Sequence, residues 1–268
     1  MQTYEQQIRC ISPLTFDAIR EVSIERLPIM YRDKAWTYPD LDRGRALLQT
    51  DEQACAYIVA YGDAHRKKVE KAFEKFPFDY LRDGYEIIDW ACCQGVASLC
   101  FLDLLRKVGC CSRPRQITLI EPSSFILKRA SVNVKQACSQ SNILIKTKQA
   151  YLPSESPMDG KVIENIDVSS PVCIHLFSNI LDIGDVDLRG VARILGNTIG
   201  THFVMCMGPA YNASRYDAFM SYFNLPDNLI QPKVHDLEFG HYPNGHTYTA
   251  EIRCFRLDVV KGHPILNP

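Results

Sequence analysis

Residues 87–98 read IIDWACCQGVAS, and this stretch decides the fold. An apolar run ends at Asp89, a short turn of small residues follows, and a helical pattern begins at Gly95. A buried strand that passes through a tight turn into a helix is typical of sites for nucleotide-like ligands, because the turn and the helix N-terminus present backbone N–H groups. Ala91 and Cys93 stand where such turns usually carry glycine. Their side chains are small enough to permit close approach of a ligand if the backbone angles at both residues are ordinary.

From residue 85 onward, short apolar segments alternate with helical patterns, which predicts βαβ units and a mostly parallel sheet with helices on both faces. Two final strand-like segments, VHDLEFG and YTAEIRCFRLDVV, flank HYPNGHT. Its Asn244-Gly245 pair is a turn signal, so we expect a terminal antiparallel hairpin and one antiparallel strand at the sheet edge. The predicted strands are 85–90, 116–121, 142–147, 172–178 and 201–207, and the predicted helices are 95–108, 123–138, 186–196 and 213–223.

Residues 1–80 have a different, helical and irregular character. Thr50 followed by two acidic residues is a helix-start signal, and the helical pattern continues to about Phe76, where Gly62 can divide it and Pro77 ends it. The sequence therefore predicts an N-terminal helical region over 1–80, placed beside the mouth of the ligand site as a lid or substrate-recognition element, and a ligand-binding domain over 81–268.

Composition places few limits on function. The chain has 268 residues, 46% hydrophobic, with 30 basic and 31 acidic residues, which suits one core and excludes a strongly basic nucleic-acid-binding protein. Apolar runs reach only about ten residues, short of the roughly 18–20 that span a bilayer. The first residues, MQTYEQQIRCISPL, lack the pattern of a secretory signal. We expect a cytoplasmic protein with no membrane partner.

The eleven cysteines show no metal-binding pattern. Cys92-Cys93 and Cys110-Cys111 are adjacent pairs, whose side chains point in different directions, and no C-x2-C spacing occurs. We therefore predict reduced thiols and no metal. His175 lies within an apolar strand, which favours a core histidine with its hydrogen bonds satisfied.

Glu121 ends the second predicted strand in ITLIEPS. A carboxylate there can accept hydrogen bonds from both hydroxyls of a ribose. EPSS is also a helix-start signal, so a surface residue that caps the next helix is the alternative. For Asp89 the alternative is a strand-end residue that bonds to loop amides.

Residues 85–260 resemble the class I S-adenosylmethionine-dependent methyltransferases. Members of that family have an acidic residue and a glycine-rich turn after the first strand, an acidic residue at the end of the second, and a seven-stranded sheet whose last strand is antiparallel. Asp89 and Gly95 match the turn pattern D/E-x-G-x-G-x-G, whereas Ala91 and Cys93 depart from it. Dinucleotide-binding dehydrogenases, the nearest competing class, carry G-x-G-x-x-G closer to the strand and normally lack the preceding acid.

The resemblance implies an α/β, Rossmann-like, mostly parallel seven-stranded sheet that ends in the antiparallel hairpin, and it implies S-adenosylmethionine as cofactor. A fainter similarity, carried by AYIVAYGDAHRKKVEKAF before the turn and RA after EPS, is to methyltransferases of the ribosomal RNA type. The residues implied to bind the cofactor are Asp89, Ala91, Cys93, Gly95, Glu121, Pro122 and Ser178.

The exit of the fourth strand, IHLFSNILDI, supplies Ser178, Asn179 and Asp182 as candidate catalytic residues, with capping of the strand end as the alternative. The segment lacks the Asn/Asp/Ser-Pro-Pro-aromatic tetrapeptide that enzymes methylating an exocyclic amine often carry, so methylation of an adenine amine is not supported. A Pro-Cys turn for covalent attack on a pyrimidine is also missing from the sequence.

Substrate recognition is assigned to the basic helix of the N-terminal region. Its lysines share one face at i, i+4, i+8, and aromatic rings lie upstream, a combination that suits phosphates and unstacked bases of RNA. Interleaved glutamates make a solvated helix face the alternative. Arg215, after the fifth strand, can bind a phosphate or a carboxylate. The predicted substrate-binding residues are Tyr61, His65, Lys67, Lys71 and Arg215.

Two functions follow from these patterns. The first is an active methyltransferase that acts on an RNA or protein acceptor, favoured by Asp89, Gly95 and Glu121. The second is a binding or scaffold protein that kept the fold and lost catalysis, favoured by the two missing glycines.

Overall fold

The computed structural model describes residues 2–42, 47–81, 84–223, 229–241, 245, 247–261 and 266. The strands are β1 Tyr85–Trp90, β2 Pro114–Ile120, β3 Leu144–Lys148, β4 Val172–Ser178, β5 Gly200–Gly208, β6 Val234–His241 and β7 Thr247–Val259. The α-helices are α1 Tyr4–Arg9, α2 Phe16–Arg26, α3 Asp51–Ala72, α4 Val96–Lys107, α5 Ser124–Ala137, α6 Leu188–Gly196 and α7 Ala213–Ser221. The predicted strands and helices from residue 85 are confirmed, with boundaries shifted by up to two residues.

Seven strands form one sheet in the order β3-β2-β1-β4-β5-β7-β6. Neighbouring strands from β3 to β5 are parallel, and β7 is antiparallel to both β5 and β6. The predicted seven-stranded sheet and the antiparallel hairpin are confirmed. Asn244 of the predicted turn lies outside the described residues, and Gly245 has a φ of 83°.

The prediction that the antiparallel strand lies at the sheet edge was wrong, because β7 is inserted between β5 and β6. The burial of β7 explains this position. Residues on both of its faces are buried, including Ile252, Cys254 and Phe255. A strand buried on both faces suits the interior of a sheet, where both edges of the backbone are hydrogen-bonded.

Alternate residues of the strands point to two hydrophobic layers. Ile87, Leu119 and Leu176 pack into a core with residues of α3, α4 and α5. Ile88 and Phe177 pack into a second core with residues of α6 and α7. Residues of α1, α2 and α3 belong to the first core, so the change in sequence character near residue 80 does not mark a boundary between cores.

Helix α3 is continuous through Gly62, contrary to the expectation that this glycine can divide it. A Cβ at Gly62 would lie 2.8 Å from Cζ of Phe16, so the glycine allows α2 to approach α3 closely. The predicted start is confirmed by a capping box, in which the Thr50 hydroxyl and the Gln53 side chain bond each other's backbone N–H. None of the helices in the described ranges is long and apolar enough to cross a bilayer.

The order of the strands reverses at β1, which lies between β2 and β4. Ligands of open α/β sheets bind at such a reversal, beyond the carboxyl ends of the strands. The turn between β1 and α4 lies at this point, as predicted.

Candidate functional site

The turn after β1 has a left-handed backbone at three alternating positions. The φ angles are 50° at Ala91, 47° at Cys93 and 77° at Gly95. The condition of ordinary backbone angles at Ala91 and Cys93 is therefore not met. A left-handed conformation costs a residue with a Cβ roughly 1–2 kcal/mol, so surrounding contacts must impose it here. The backbone follows the path of a glycine-rich turn even though two of the glycines are absent.

Gly95 is the N-cap of α4 and packs against α5. A Cβ at this position would lie 2.9 Å from Cγ2 of Val134 and 3.7 Å from Cβ of Ala130. This close packing explains why glycine stands at this position of the turn.

We expect the three left-handed positions to respond differently to substitution. Gly95→Ala should lower the free energy of unfolding by about 2 kcal/mol, because it adds both a strained φ and a clash with Val134. Cys93→Gly should change it by less than about 1 kcal/mol, because relief of strain offsets the greater entropy of glycine in the unfolded chain. Urea denaturation of both variants checks this; equal losses would contradict the left-handed assignment of Cys93.

Asp89 has one carboxylate oxygen bonded and one without a partner. Its side chain is buried, and Oδ2 accepts hydrogen bonds from the backbone N of Ser98 at 3.1 Å and from Ser98 Oγ at 2.6 Å. Oδ1 is buried and has no hydrogen-bond partner in the described part of the chain. Burial, with a smaller contribution from the Glu121 carboxylate, raises the pKa of Asp89 to about 7 against the opposing effect of the Ser98 hydrogen bonds. A buried carboxylate oxygen without a partner needs a hydrogen-bond donor. Asp89 lines the cavity at the carboxyl ends of β1, β2 and β4.

Glu121 connects the ends of β1 and β2. Its Oε2 accepts a hydrogen bond from the N–H of Cys93 at 3.1 Å, and its Oε1 accepts one from the N–H of Ser123 at 3.1 Å. Burial raises the pKa of Glu121 to about 7. The N-cap of α5 is Ser123, whose hydroxyl accepts from the N–H of Ile126, so Glu121 is neither a surface residue nor the helix cap. Each carboxylate oxygen can accept a further bond from a ligand hydroxyl.

A cavity of about 420 Å³ lies at the carboxyl ends of β1, β2 and β4, within the size range of small-molecule sites. Its walls are mostly apolar, and its charged side chains are the carboxylates of Asp89, Glu121 and Asp185. No lysine or arginine is found among the described residues that line it. Of the residues predicted for cofactor, catalysis or substrate, the cavity is lined by His65, Asp89, Ala91, Cys93, Glu121, Pro122, Ser178 and Asn179.

A polar cluster from α3 and the end of β4 forms one side of the cavity. Lys68 Nζ donates to Oδ1 of Asn179 at 2.7 Å, and this bond fixes the amide so that Nδ2 faces the His65 ring. Asn179 Nδ2 lies 3.1 Å from Nδ1 and 3.2 Å from Nε2 of His65. The hydroxyl of Tyr57 lies 3.3 Å from Nε2 of His65. Asn179 itself is left-handed, with a φ of 55°.

Burial sets the charge states of this cluster. Burial, together with the smaller effect of the Lys68 charge, lowers the pKa of His65 to about 3. It also lowers the pKa of Lys68 to about 8, while the Asp182 carboxylate acts in the opposite direction. At neutral pH the imidazole of His65 is therefore neutral and resists protonation, beside a lysine that is largely charged.

Two other candidates have structural partners outside the cavity. Asp182 is buried and accepts a hydrogen bond from Tyr211 Oη at 2.9 Å. Arg215 donates to the backbone carbonyls of Leu181 at 2.8 Å and Val186 at 2.6 Å. The guanidinium of Arg215 thus holds the loop after β4 by hydrogen bonds. This role differs from the predicted binding of an anion.

The predicted basic face of α3 does not line the cavity. Lys67 donates to the hydroxyl of Tyr248 at 2.6 Å, and Lys71 pairs with Glu74. Tyr61 packs its ring against Tyr57, with centroids 5.5 Å apart. Lys67 and Lys71 lie on the side of α3 away from Tyr57 and His65, which line the cavity, and Tyr61 shares the cavity side without lining it. Of the residues predicted on α3, only His65 lines the cavity.

The buried histidines form a hydrogen-bonded chain. Trp90 Nε1 donates to His175 Nδ1 at 3.1 Å, His175 Nε2 lies 2.8 Å from His202 Nδ1, and His202 Nε2 lies 2.7 Å from the carbonyl of Thr198. The indole can only donate and the carbonyl can only accept, so both rings are neutral with the proton on Nε2. The prediction of a satisfied core histidine at His175 is confirmed.

Cys173 lies beside these rings, and one ligand atom from each of Cys173, His175 and His202 falls within 4.8 Å of the others, as in metal sites. A metal ion there would have to break the bond between the two histidines. Burial lowers the pKa of both histidines and raises that of the Cys173 thiol, which favours the neutral chain. The absence of a resident metal stays a prediction.

Several site residues were not identified from the sequence. Lys68 orients Asn179, and loop residues after β3 and β4 form much of the apolar wall. The loop residues follow parallel strands, and this position in the sequence could have identified them, because the carboxyl ends of such strands meet at one edge of the sheet. These wall residues are Ala150, Tyr151, Leu152, Pro153, Ser154, Met158, Ile180, Ile183, Asp185 and Val186.

Comparison with known proteins finds solved structures of low sequence identity and low TM-score. No family model and no curated protein matches the sequence. A solved structure of a candidate RNA methyltransferase from Pyrococcus horikoshii is 12% identical with a TM-score of 0.42, and the match covers 98% of this chain and 100% of that chain. A candidate class I S-adenosylmethionine-dependent methyltransferase from Listeria monocytogenes is 12% identical with a TM-score of 0.41, covering 96% and 73%.

The ribosomal protein L11 methylase from Lactobacillus delbrueckii subsp. bulgaricus is 8% identical with a TM-score of 0.39, covering 72% of this chain and 80% of that chain. Identities of this size concern chain topology, and what the site can bind follows from its own residues. The seven strands and the single antiparallel strand agree with what the sequence resemblance implies, while the position of that strand inside the sheet was not predicted.

Proposed function

We propose that the chain is an S-adenosylmethionine-dependent methyltransferase whose cofactor binds in the cavity at the carboxyl ends of β1, β2 and β4. One observation carries the proposal: the turn after β1 keeps the backbone of a glycine-rich turn beside Asp89, whose buried Oδ1 has no partner among the described residues. A carboxylate oxygen of this kind needs a hydrogen-bond donor or a cation, which the cofactor offers.

The charges of the cavity distinguish this cofactor from a dinucleotide. The lining holds three carboxylates and, in the ranges described, neither lysine nor arginine. A pyrophosphate beside Asp89 and Glu121 would face like charges in a site of low dielectric. S-adenosylmethionine carries a positively charged sulfonium and an ammonium group, and it supplies the methyl group when bound. The lining therefore supports S-adenosylmethionine over a dinucleotide.

Each part of the cavity suits a part of the cofactor. Glu121 has acceptor capacity on both oxygens for the ribose hydroxyls. Asp89 Oδ1 can accept from an ammonium group or another donor. Pro122 and Ile126 offer apolar surface to a purine ring, and the small side chain of Ala91 leaves room at the turn.

The acceptor end of the cavity is assigned to the cluster of His65 and Asn179. The Asn179 amide, held by Lys68, orients the neutral ring of His65 at the cavity wall. The neutral ring of His65 can hydrogen-bond an N–H or O–H acceptor group and so orient it for methyl transfer, but with its pKa lowered to about 3 it does not serve as the base that takes up the proton. Ser178 lines the same region and offers a hydroxyl for orienting the acceptor.

The acceptor is proposed to be an uncharged N–H or O–H group of RNA or of a protein. Because no described lysine or arginine lines the cavity, the phosphates of an RNA acceptor would contact the outer surface, where Lys71 and Lys75 lie. Salt-dependent binding of a structured RNA, reduced by Lys71→Glu with Lys75→Glu, would support RNA. Salt-independent or absent binding would favour a protein acceptor. The predicted cytoplasmic location stays a prediction.

The scaffold alternative was suggested by the two missing glycines. The backbone at Ala91 and Cys93 nevertheless has the conformation that glycines would give. Retention of this strained backbone, which costs free energy, supports a turn that still binds its ligand.

Calorimetric titration tests the proposal. We expect S-adenosylmethionine and S-adenosylhomocysteine to bind with micromolar dissociation constants at pH 8. NADH serves as the matched control and should not bind, because its pyrophosphate would face the carboxylates. Absence of binding at millimolar S-adenosylmethionine would overturn the proposal, and tight binding of NADH would replace it with a dehydrogenase.

The affinity for S-adenosylmethionine should depend on pH. The pKa values of Asp89 and Glu121 are raised to about 7 by burial, so both carboxyls hold protons below this value in the free protein. A ligand that binds the ionised forms must displace those protons, so affinity is full above pH 7 and falls as the pH drops through 7. Between pH 8 and pH 6 the dissociation constant should rise about tenfold for each carboxylate required. Titrations at both pH values check this; a flat profile would mean that neither carboxylate is bound in its ionised form.

A further inference from the structure

The turn after β1 is held by a buried polar network that crosses from the N-terminal helices to α5. We infer that Gln94 and Arg129 are positioning residues. Their hydrogen bonds hold the left-handed conformation of the turn that binds the cofactor, a conformation that two glycines would adopt without such restraint. The inference rests on the proposed function, because the role assigned is toward the cofactor.

Gln94 lies in the turn, between the left-handed Cys93 and Gly95, and is fully buried. Its Nε2 donates to the carbonyl of Ala54 in α3 at 2.9 Å, and its Oε1 accepts from Nε of Arg129 in α5 at 2.7 Å. The carbonyl can only accept and the guanidinium can only donate, so the orientation of the amide is fixed. The backbone carbonyl of Gln94 also accepts from Asn133 Nδ2 at 3.1 Å. Both the side chain and the backbone of the turn are therefore restrained from outside it.

Arg129 is buried and is itself held on several sides. One terminal nitrogen donates to Asp51 Oδ1 at 2.8 Å, and the other contacts Cys55 Sγ at 3.2 Å. The guanidinium stacks on the ring of Tyr4, with its central carbon 3.2 Å from the centroid. Planar stacking together with directed N–H bonds is specific to arginine. Arg129 thus reaches Gln94 from a position fixed by α1 and α3.

The need for such restraint follows from the sequence of the turn. A residue with a Cβ leaves the left-handed region unless its surroundings over-determine the conformation. In the family pattern, glycine at these positions removes the penalty, whereas Ala91 and Cys93 retain it. Gln94 provides the side-chain contacts that meet this requirement. In addition, the N–H of Cys93 donates to Glu121, and the N–H of Cys92 donates to the carbonyl of Ile120 at 2.8 Å. The N-terminal helices therefore help to hold the turn that binds the cofactor, in addition to any role as a lid.

The test uses the glycines themselves as rescue. Gln94→Met removes both side-chain bonds and keeps a similar length, and we expect it to weaken S-adenosylmethionine binding at least tenfold by calorimetry. Ala91→Gly with Cys93→Gly should bind within about threefold of the native protein. In the triple variant, the two glycines should restore the affinity of Gln94→Met to within about threefold. A residue with only a general structural role would lose affinity without rescue by glycine.

Two further variants keep the test decisive. Arg129→Lys is a milder change, should weaken binding about fivefold, and should also be rescued by the glycine pair. Arg106→Lys is the matched control, because Arg106 donates to the carbonyls of Leu14 and Ala137, away from the turn. The affinity of this variant for S-adenosylmethionine should be unchanged. Unchanged binding in Gln94→Met, or a loss that glycine does not restore, would overturn the inference.

Hydrogen exchange separates this inference from the proposed function. If the native protein does not bind S-adenosylmethionine, the proposed function fails, and exchange still reports on the turn. The amides of Cys93 and Gly95 are hydrogen-bonded, to Glu121 and to the carbonyl of Cys92 at 2.7 Å. Gln94→Met should accelerate their exchange at least tenfold, while Arg106→Lys should not. Equal protection in the native protein and Gln94→Met would show that Gln94 does not hold the turn.

Discussion

Asp89→Asn should weaken S-adenosylmethionine binding by about 10- to 100-fold while leaving the fold intact. The change keeps the shape of the side chain and an oxygen for the bonds from Ser98, but it removes the negative charge and puts an amide where Oδ1 needs a donor. A hydrogen bond to a charged group contributes about 1.5–3 kcal/mol, which corresponds to this range of affinity. Calorimetry at pH 8 measures the effect.

Asp103→Asn is the matched control for this prediction. Asp103 is a carboxylate on α4 that accepts a hydrogen bond from the N–H of Phe16 at 2.8 Å, so it secures α2 and does not line the cavity. Its substitution should lower stability and leave the affinity unchanged. If Asp89→Asn binds the cofactor as tightly as the native protein, Asp89 Oδ1 is not a ligand-binding atom.

Gly208→Ala should lower the free energy of unfolding by about 3 kcal/mol. Gly208 ends β5, and a Cβ there would lie 1.7 Å from the hydroxyl oxygen of Tyr216 and 3.0 Å from its Cζ. The Tyr216 ring is fully buried on α7, so it has little room to move. Chemical denaturation measures the loss.

Removing the obstructing oxygen gives a direct check. Tyr216→Phe in the Gly208→Ala background should recover at least about 1 kcal/mol, a coupling expected of groups in contact. Tyr216→Phe alone should cost little, because that buried hydroxyl has no hydrogen-bond partner in the described ranges. Gly184→Ala is the control, since nothing lies within 4 Å of a Cβ at Gly184. A loss in Gly208→Ala that Tyr216→Phe does not relieve would place the strain elsewhere.

Local patterns sufficed for the order of the elements and for the place of the cavity. The strand that carries Asp89 near its end and the strand that ends before Glu121 follow from short apolar runs, and parallel pairing brings both carboxylates to one edge. The conformation of Ala91 and Cys93 could not be predicted, because their own preferences oppose it. It depends on Gln94 and Arg129, which are 35 residues apart along the chain and meet only in the folded protein.

The basic helix shows a second limit of sequence reasoning. Helical periodicity correctly groups Lys67 and Lys71 on one face, but it cannot indicate which face meets the cavity. That choice depends on β7, where Tyr248 accepts a hydrogen bond from Lys67 across 181 positions of sequence. The inner position of β7 is likewise a property of the whole sheet, since a turn signal indicates only that two segments pair.

The packing of α3 against the last strand has a consequence for synthesis of the chain. Near the C-terminal end of α3, the carbonyl of Lys71 accepts a hydrogen bond from Gln231, and the carbonyl of Ala72 accepts one from Cys254. The ribosome synthesises both donors long after the helix. Contacts so distant in sequence form late and slow folding. A nascent chain that has not yet reached β7 carries a completed helix with an uncovered apolar flank, a state open to aggregation and to chaperones. Truncation before residue 247 should therefore yield insoluble protein rather than a smaller stable domain.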